Sequence, residues 1–413
     1  MNIIYIDHYA GSNSMGMEFR PYYFAREWQK MGHNVRIIAA NFSHLRKVNP
    51  NVKEDFEIQY IEGVEFQWIK TRDYEGNGLS RAITMLQFCS KLWLNAKSLA
   101  REFEPDVIIS SSTYPLDTYS AQRIKKYAKR AVLVHEIHDM WPAVPIELYG
   151  MSKIHPFVIA MQAGENSFCR HSDKVVSILP CAEEYLLAHG LKKGKFYYIS
   201  NGVVEEEWNE AEELPQLHQL IINRVKVEGR LLIGFFGSIT PMYNLDIMLE
   251  ALTHIDSSKV FFMIVGDGHY KEELEALARR LNLDKSMYEF CPPIDKKSIP
   301  NLIKQLDASY VAAVKDKMFR FGIGMNKLFD SMMGGVPILY AVDAPNNMVL
   351  EYNCGINVTA GSKEDLIKGI ENLLCMSDDD RKELGKNGHN AIVRNHTYKA
   401  LAQEFIEVIN AER

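Results

Sequence analysis

The residues best suited to bind an anion lie in the stretch FRFGIGMNKLFDSMMGGVPIL, from Phe319 to Leu339. Gly322 and Gly324 predict a loop, and Asn326 is the expected N-cap of a short helix that ends at the following pair of glycines. The backbone amides and the positive dipole end of this helix would face whatever lies in front of the loop. Lys327 adds a positive charge to the first turn, where a cation is unfavourable unless a ligand supplies negative charge. The stretch therefore predicts an anion site.

A carboxylate accompanies the lysine of this predicted site. Asp330 follows Lys327 by three residues, so the two side chains share one face of the helix. Carboxylates beside phosphate sites commonly accept hydrogen bonds from ribose hydroxyls. Taken alone, the stretch is also compatible with an ordinary glycine-containing turn between a helix and a strand that carries a surface lysine.

A second group of chemically capable side chains belongs to the run AVLVHEIHDMWP. His135, Glu136, His138, Asp139 and Trp141 lie at the carboxyl end of a predicted strand, which is where ligands of open α/β sheets bind. A structural interpretation is also open, in which Asp139 caps the backbone around the Trp-Pro pair and the histidines form hydrogen bonds within the loop.

The elements that must position these residues alternate between strands and helices along the chain. In the N-terminal half, apolar runs predict the strands MNIIYID, NVRIIAA, PDVIISSS, AVLVHEI and DKVVSIL. The segment from Leu79 to Phe103 predicts a long amphipathic helix. Residues 205–230 are acidic and predict an irregular linker, after which the alternation restarts with LLIGFFGS, VFFMIVGDG and YEFCPPI. The pattern predicts an α/β protein with two doubly wound sheets.

These motifs resemble those of retaining glycosyltransferases of the family 4 type, which have a GT-B fold. In that family an acidic residue lies five positions before the glycine of a G-x-P turn, and Asp330, Gly335 and Pro337 occupy those positions. The H-D and W-P pairs resemble the family's sugar-contacting loop, and GFFGS, IVGDG and EFCPPI resemble three further landmarks in the right order. NKLFD resembles the branch that adds amino or deoxy sugars to bacterial surface glycans, which includes N-acetylfucosaminyltransferase-like enzymes.

The resemblance implies a domain organisation. We expect an acceptor-side Rossmann-like domain over residues 1–205 and a nucleotide-sugar-binding Rossmann-like domain over residues 206–395, facing each other across a cleft. The final segment, residues 396–413, is expected to be a helix that packs back on the N-terminal domain.

The resemblance also implies roles for individual residues. The expected catalytic residues are His138, next to the transferred sugar, Asp139, which would orient His138 or contact the acceptor, and Lys327, which would neutralise the leaving diphosphate. The expected donor-binding residues are Gly16, Gly237, Ser238, Cys291, Arg320, Gly322, Asn326, Lys327 and Asp330. On the acceptor side we expect Ser14, Glu18 and Trp141.

Two departures from the family pattern leave alternatives open. Gly322 stands where the family usually has a second acid, and TPMYNLD, residues 240–246, replaces the usual arginine and lysine after GFFGS. Lys327 would then carry more of the neutralisation, together with Arg320. The departures are also compatible with a catalytically inactive GT-B subunit that regulates a partner. A nucleotide-sugar epimerase of the same fold is a further alternative.

Composition excludes several other classes of protein. The net charge of −6 over 413 residues gives no support for nucleic-acid binding, and no G-x-G-x-x-G motif opens either half as a dinucleotide oxidoreductase would require. The six cysteines lack C-x-x-C spacing, and no D-x-D motif is present apart from the run of three aspartates at residues 378–380, so neither a bound metal nor another cofactor is expected. The strand-like N-terminus and the lack of a long apolar run predict a cytoplasmic protein.

The expected function is transfer of an N-acetylated amino or deoxy hexose, with retention of configuration, in bacterial surface polysaccharide synthesis such as that of O-antigen or capsule. The donor is expected to be UDP-linked, by analogy, and the acceptor a glycan or a polyprenyl-pyrophosphate-linked glycan. Basic residues on the predicted helix Leu79–Phe103 suggest contact with the inner face of the membrane. Such a helix is also what an ordinary core-covering element looks like.

Overall fold

The computed structural model describes residues 1–16, 18–76 and 78–411. The chain divides into two compact α/β units. The first consists of Met1–Ser200 and Tyr398–Arg413, and the second of Asn201–Thr397. Among the described residues no helix combines the length and the apolar content that a membrane span requires.

The first unit is built on an eight-stranded sheet. Its strands are β1 (Asn2–Ile6), β2 (Asn34–Ala40), β3 (Glu57–Ile61), β4 (Val64–Ile69), β5 (Val107–Ser110), β6 (Val132–Ile137), β7 (Lys174–Ser177) and β8 (Phe196–Tyr198). Their order across the sheet is β3-β4-β2-β1-β5-β6-β7-β8, and among the strand pairs of the described residues only β3–β4 is antiparallel. The central strands are apolar along their whole length because helices cover both faces of a parallel sheet. The β3–β4 hairpin was not predicted from the sequence.

The helices of the first unit follow the predicted alternation. They are α1 (Arg20–Lys30), α2 (Leu79–Phe103), α3 (Asp117–Tyr127), α4 (Ala143–Glu147), α5 (Pro156–His171), α6 (Glu183–Ala188) and, at the end of the chain, α16 (Tyr398–Asn410). The bounds predicted for α2 are confirmed. This helix buries Met85, Phe88, Leu92 and Leu99 on one side, at the spacing of an amphipathic helix.

Helix α16 packs against α1 within the first unit. The Trp28 indole Nε1 donates a hydrogen bond to the carbonyl of Ala402, at 3.1 Å. The Phe405 ring lies edge-on to Phe24 and Trp28, with centroid distances of 5.3 and 5.2 Å. The two ends of the chain therefore share one core.

The second unit contains a six-stranded, fully parallel sheet. Its strands are β9 (Leu231–Phe236), β10 (Val260–Val265), β11 (Tyr288–Cys291), β12 (Ala308–Ala312), β13 (Ile338–Ala341) and β14 (Gly355–Asn357). Their order is β11-β10-β9-β12-β13-β14. Alternate residues of β9 enter different cores: Leu232 and Phe236 pack on one face of the sheet, and Ile233 and Phe235 on the other.

The helices of the second unit cover both faces of this sheet. They are α7 (Glu205–Asn209), α8 (Gln216–Val227), α9 (Leu245–Leu252), α10 (Lys271–Arg280), α11 (Ile299–Ile303), α12 (Asn326–Met333), α13 (Met348–Glu351), α14 (Lys363–Cys375) and α15 (Asp378–Asn395).

The prediction of an irregular linker over residues 205–230 is wrong. Helix α7 places three glutamates in its first turn, where the helix dipole favours negative charge. Helix α8 buries His218, Ile221, Ile222 and Val225 at helical spacing. The acidic composition of the segment concealed this second pattern.

Candidate active site

The candidate site of the first unit forms where β1, β5 and β6 end. Because these strands are parallel neighbours, the residues at their carboxyl ends meet at one edge of the sheet. Asp7 follows β1, Ser111 follows β5, and Glu136 and His138 lie at the end of β6. These four residues, with Glu18 from the loop before α1, form a cluster of acids and bases.

Glu136 is the buried anion of this cluster. Its carboxylate accepts hydrogen bonds from the Tyr5 hydroxyl, from Ser111 Oγ at 2.6 Å and from Arg20 Nε at 3.0 Å. Burial raises the pKa of Glu136, but the charge of Arg20 and the hydrogen bonds from His138 and Ser111 outweigh burial and hold the pKa well below its usual range. Glu136 is therefore ionised at any pH at which the protein would work.

His138 is the cation of the cluster. Its Nε2 lies 2.7 Å from Ser111 Oγ and 3.4 Å from Glu136 Oε2, and its Nδ1 lies 3.8 Å from Glu18 Oε2. Burial lowers the pKa of His138, but the hydrogen bond and charge of Glu136, with Glu18 and Asp7, raise it to about 9. At neutral pH the ring is an imidazolium that is anchored through Nε2 and partly accessible, with 12% of the side chain exposed.

Asp7 is a further member of the cluster that the sequence patterns did not indicate. Its Oδ1 accepts a hydrogen bond from the Tyr9 amide at 2.8 Å, and the side chain is buried. Burial and the nearby Glu18 raise the pKa of Asp7 to about 8, against the opposing effect of His138. Burial likewise raises the pKa of Glu18. The available signal was the single polar residue that ends the apolar run MNIIYID.

Asp139 and Trp141 line a small pocket at the end of β6, together with Ser112 and His138. Asp139 is exposed. The Trp141 ring lies edge-on to Phe157, with 5.9 Å between centroids.

His135 has a structural environment instead. It stacks on Phe168 with 3.8 Å between ring centroids, and its Nδ1 lies 2.8 Å from Ser110 Oγ. Burial lowers the pKa of His135 to about 3, so the ring is neutral.

The loop before α1 carries two further predicted residues. The Gly16 amide donates to the Ser12 carbonyl at 2.9 Å, and its φ of 91° is one that favours glycine. A Cβ at this position would lie 3.0 Å from the Lys47 amide nitrogen. Ser14 is exposed, and its Oγ lies 3.2 Å from Ser12 Oγ. The glycine allows the loop to pack closely, and the serine is accessible.

The candidate anion site of the second unit lies at the start of α12. The N-cap is Met325, so the prediction of Asn326 as N-cap is wrong. Asn326 is the first residue inside the helix, so it does not have the extended backbone of an N-cap residue. Its side chain is exposed.

Other asparagines hold the loop ahead of α12. The Asn346 side chain donates to the Ile323 carbonyl and accepts from the Ile323 amide, both at 2.8 Å. The Asn201 side chain donates to the Gly324 carbonyl at 2.8 Å. These three bonds fix the backbone of the loop and direct the chain into the first turn of α12.

Lys327 extends from this first turn to the end of β9. Its Nζ is buried and has no hydrogen-bond partner among the residues that the structure describes. A Cβ placed on Gly237 would lie 3.5 Å from Nζ, so these two predicted donor-binding residues are adjacent. Burial lowers the pKa of Lys327 to about 7. An unpaired buried ammonium at a helix N-terminus is a strong anion-binding arrangement.

The remaining predicted donor-binding residues have varied surroundings. Asp330 is partly buried, which raises its pKa to about 6. Gly237 and Ser238 are exposed directly after β9. Arg320 is exposed, donates to the Lys317 carbonyl at 2.8 Å and lies over the Phe321 ring.

Gly322 and Cys291 are buried within the second unit. Gly322 follows a short 3-10 turn, Lys317–Phe321. Cys291 ends β11, and its carbonyl accepts from the Gly266 amide at 3.1 Å. Burial raises the pKa of the Cys291 thiol to about 12, so the backbone rather than the thiol is the polar group that Cys291 offers.

Comparison with known families and structures gives matches over both halves. Residues 15–207 match the domain described as Glycosyltransferase Family 4, and residues 220–391 match the domain described as Glycosyl transferases group 1. A comparison with curated proteins gave no match.

Several solved structures share the architecture. Alr3699/HepE from Anabaena, crystallised in complex with UDP and glucose, is 14% identical with a TM-score of 0.66 over 100% of both chains. A trehalose-6-phosphate protein from E. coli bound with UDP-2-fluoro glucose is 12% identical, with a TM-score of 0.73 over 100% of this chain and 99% of that one. WaaG, a glycosyltransferase involved in lipopolysaccharide biosynthesis, is 16% identical with a TM-score of 0.65 over 99% of this chain and 100% of that one. At these identities the likeness shows the fold.

Proposed function

Because this chain belongs to the family 4 glycosyltransferases, with two Rossmann-like domains of the GT-B class, we propose that it transfers a sugar from a UDP-sugar to a hydroxyl group with retention of the anomeric configuration. The proposal assigns the donor diphosphate to the start of α12. It assigns the transferred sugar and the acceptor to the cluster at the ends of β1, β5 and β6.

The observation that carries the donor assignment is the buried, unpaired ammonium of Lys327 beside Gly237. The helix dipole and the first amides of α12 add positive potential at the same place. A leaving diphosphate develops negative charge, and preorganised positive groups in a dry site stabilise it strongly. Lys327 and the helix supply this stabilisation, so the proposal includes no divalent metal. HepE and the E. coli protein were crystallised with uridine nucleotides, which supports UDP as the carrier.

In the first unit, we assign to His138 a hydrogen bond from its imidazolium to a hydroxyl of the transferred sugar. Glu136 holds the ring in place and keeps it charged, which is one of the two roles that the family resemblance implies for Asp139. Asp139, Glu18, Ser14 and Trp141 are assigned to the acceptor side.

The reaction itself is assigned to same-face attack. The acceptor hydroxyl attacks the anomeric carbon while the bond to the diphosphate breaks, and the acceptor proton passes to the departing phosphate. A sugar trapped covalently on Asp139, detected by intact mass, would contradict this assignment.

The NKLFD motif of α12 supports our proposal for the biological substrate. We assign the donor sugar to the N-acetylated amino or deoxy hexoses and the acceptor to a glycan or polyprenyl-pyrophosphate-linked glycan of bacterial surface polysaccharides. WaaG, with its role in lipopolysaccharide biosynthesis, supports this context by analogy.

We place the protein in the cytoplasm, in peripheral contact with the inner face of the membrane. Helix α2 exposes Leu86, Trp93 and Leu94 on the same side as Lys97 and Arg101. Apolar and basic side chains together on one helix face suit an anionic lipid surface.

Calorimetric titration of the full chain with UDP tests the donor assignment. Lys327→Ala should weaken binding about 100-fold, since a charged hydrogen bond to the diphosphate is lost. Lys317→Ala is the matched control, because Lys317 is an exposed lysine shortly before the same loop. Equal UDP affinity of wild type and Lys327→Ala would refute the assignment.

The departure at Gly322 favours a second candidate, an inactive subunit that regulates a partner. Release of UDP from a UDP-sugar distinguishes an active enzyme from such a subunit. The pure chain incubated with a panel of UDP-sugars should release UDP slowly by hydrolysis. Binding of UDP without release from any donor, even with added polyprenyl-linked glycans, would support the regulatory alternative.

A further inference from the structure

The Lys327 ammonium lies against two aromatic faces. Its Nζ is 3.3 Å from the centroid of the Tyr243 ring and 4.1 Å from that of the Phe235 ring. Phe235 is fully buried in β9, and Tyr243 ends the short 3-10 turn Pro241–Tyr243 that follows this strand. Both distances are well within the 6 Å or so at which a cation is attracted to the face of a ring. The rings take the place of the water molecules that an ammonium loses on burial.

We propose that Tyr243 is a positioning residue for donor binding: its ring face holds the Lys327 ammonium beside Gly237, charged but not paired with a carboxylate. This inference rests on the proposed function, because it assumes that the anion bound at this point is the donor diphosphate. It gives a role to the segment TPMYNLD, which lacks the arginine and lysine that the family resemblance implies there.

The choice of a ring rather than a carboxylate has a physical consequence. A carboxylate would hold the ammonium more strongly, but it would cancel the positive charge and repel the incoming diphosphate. A ring face has a weaker, quadrupolar attraction and leaves the net charge of the lysine in place. The Tyr243 ring therefore stabilises the empty site without occupying the position of the ligand.

The charge state of Lys327 depends on these rings. Burial is the single cause that lowers the pKa of Lys327 to about 7, and no charged side chain of the described ranges contributes to the shift. Burial also raises the pKa of the Tyr243 hydroxyl, so that group stays neutral. Because a ring face attracts only the charged form, weakening it should make the lysine lose its proton at lower pH.

The test replaces the ring face while keeping its shape. UDP affinity is measured by calorimetry at pH 6 and pH 8 for the wild type, for Tyr243→Phe, and for chains carrying mono-, di- and trifluorinated phenylalanine at position 243. Each fluorine withdraws electron density from the ring face with little change in volume, so the variants should fold alike. Circular dichroism and thermal unfolding check that they do.

The expected result is a graded loss that depends on pH. Tyr243→Phe should bind UDP within about twofold of wild type, and the trifluorinated ring about tenfold more weakly at pH 8. At pH 6 the series should lie within about twofold, because a tenfold loss at pH 8 corresponds to a pKa of Lys327 lowered by about one unit, which leaves at least half of the lysine protonated at pH 6. A flat series, or a loss that is equal at both pH values, overturns the inference while leaving the donor assignment intact. Failure of the donor assignment is separate, because it appears as equal UDP binding by wild type and Lys327→Ala.

Discussion

Replacing Lys327 by methionine should stabilise the ligand-free protein while removing donor binding. Methionine has nearly the length of lysine, is apolar and suits an irregular buried space. The ammonium that it replaces is buried and unpaired apart from the faces of Tyr243 and Phe235. An unpaired buried charge destabilises the folded state, so its removal is favourable when no ligand is present.

The magnitude follows from the pKa of Lys327, which falls from 10.5 to about 7 in the folded chain. Each unit of pKa corresponds to roughly 1.36 kcal/mol, and about half of the lysine is already neutral at pH 7. The buried lysine therefore lowers the free energy of unfolding by about 4 kcal/mol. This value is already the net of burial and of the attraction to the two ring faces, so the gain on Lys327→Met is about 4 kcal/mol, or roughly 12 °C in the melting temperature of the second unit.

Differential scanning calorimetry at pH 7, with and without UDP, is the assay. Lys327→Met should melt higher than wild type without ligand and should show little further rise with UDP, whereas wild type should gain stability from UDP by mass action. Lys317→Met, at an exposed lysine, should leave both values unchanged within about 0.5 kcal/mol. If Lys327→Met melts lower than wild type, or if UDP still stabilises it as much as wild type, the reasoning is refuted.

Three further predictions concern the first unit. Between pH 6.5 and 9 it should lose about 3 kcal/mol of stability through His138, because the raised pKa of this residue means that the folded state retains a proton that the unfolded chain releases. The raised pKa of Asp7 adds to the loss in the same range; urea unfolding followed by mass-resolved hydrogen exchange measures it, and a pH-independent result contradicts it. Glu136→Gln should lower the pKa of His138 toward 6.5, so the alkaline limb of the pH profile of kcat for UDP release, measured at saturating donor whose diphosphate keeps Lys327 protonated, should move about 2 units to lower pH. An unmoved profile would argue against a charged His138 in turnover. Phe405→Ala should destabilise the first unit by about 3 kcal/mol, because it removes the packing of this ring on Trp28. Amide hydrogen exchange should become faster in β1 but not in β9, and equal acceleration in both strands would show that the effect is not local.

Features that depend on local pattern were predictable from the sequence. The bounds of α2 follow from apolar residues at helical spacing, and the two parallel sheets follow from strands that alternate with helices. The loop and helix that carry Lys327 follow from glycine positions and from the apolar spacing of NKLFDSMM. The adjacency of Lys327 and Gly237 was implied only by the family resemblance, because no local rule joins residues so distant in the chain.

Features that depend on distant residues were not predictable. The high pKa of Asp7 arises from burial and from Glu18, against the opposing charge of His138, and the fold brings these distant residues together. Tyr243 belongs to the segment TPMYNLD, which contains no arginine or lysine. Its contact with Lys327 depends on the fold, which brings the end of β9 next to the start of α12. An aromatic residue gives no charge signal, so its electrostatic role has no signature in composition.

The return of α16 to the first unit also affects how the protein is made. The ribosome synthesises Asn201–Thr397 before Tyr398, so the chain of the second unit is complete before that of the first. At that stage the first unit still lacks the helix that covers Phe24 and Trp28. We expect the nascent N-terminal segment to remain incompletely folded, with an exposed aromatic surface to which chaperones bind. A premature stop codon that removes only the last helix should therefore damage the half of the protein that was synthesised first.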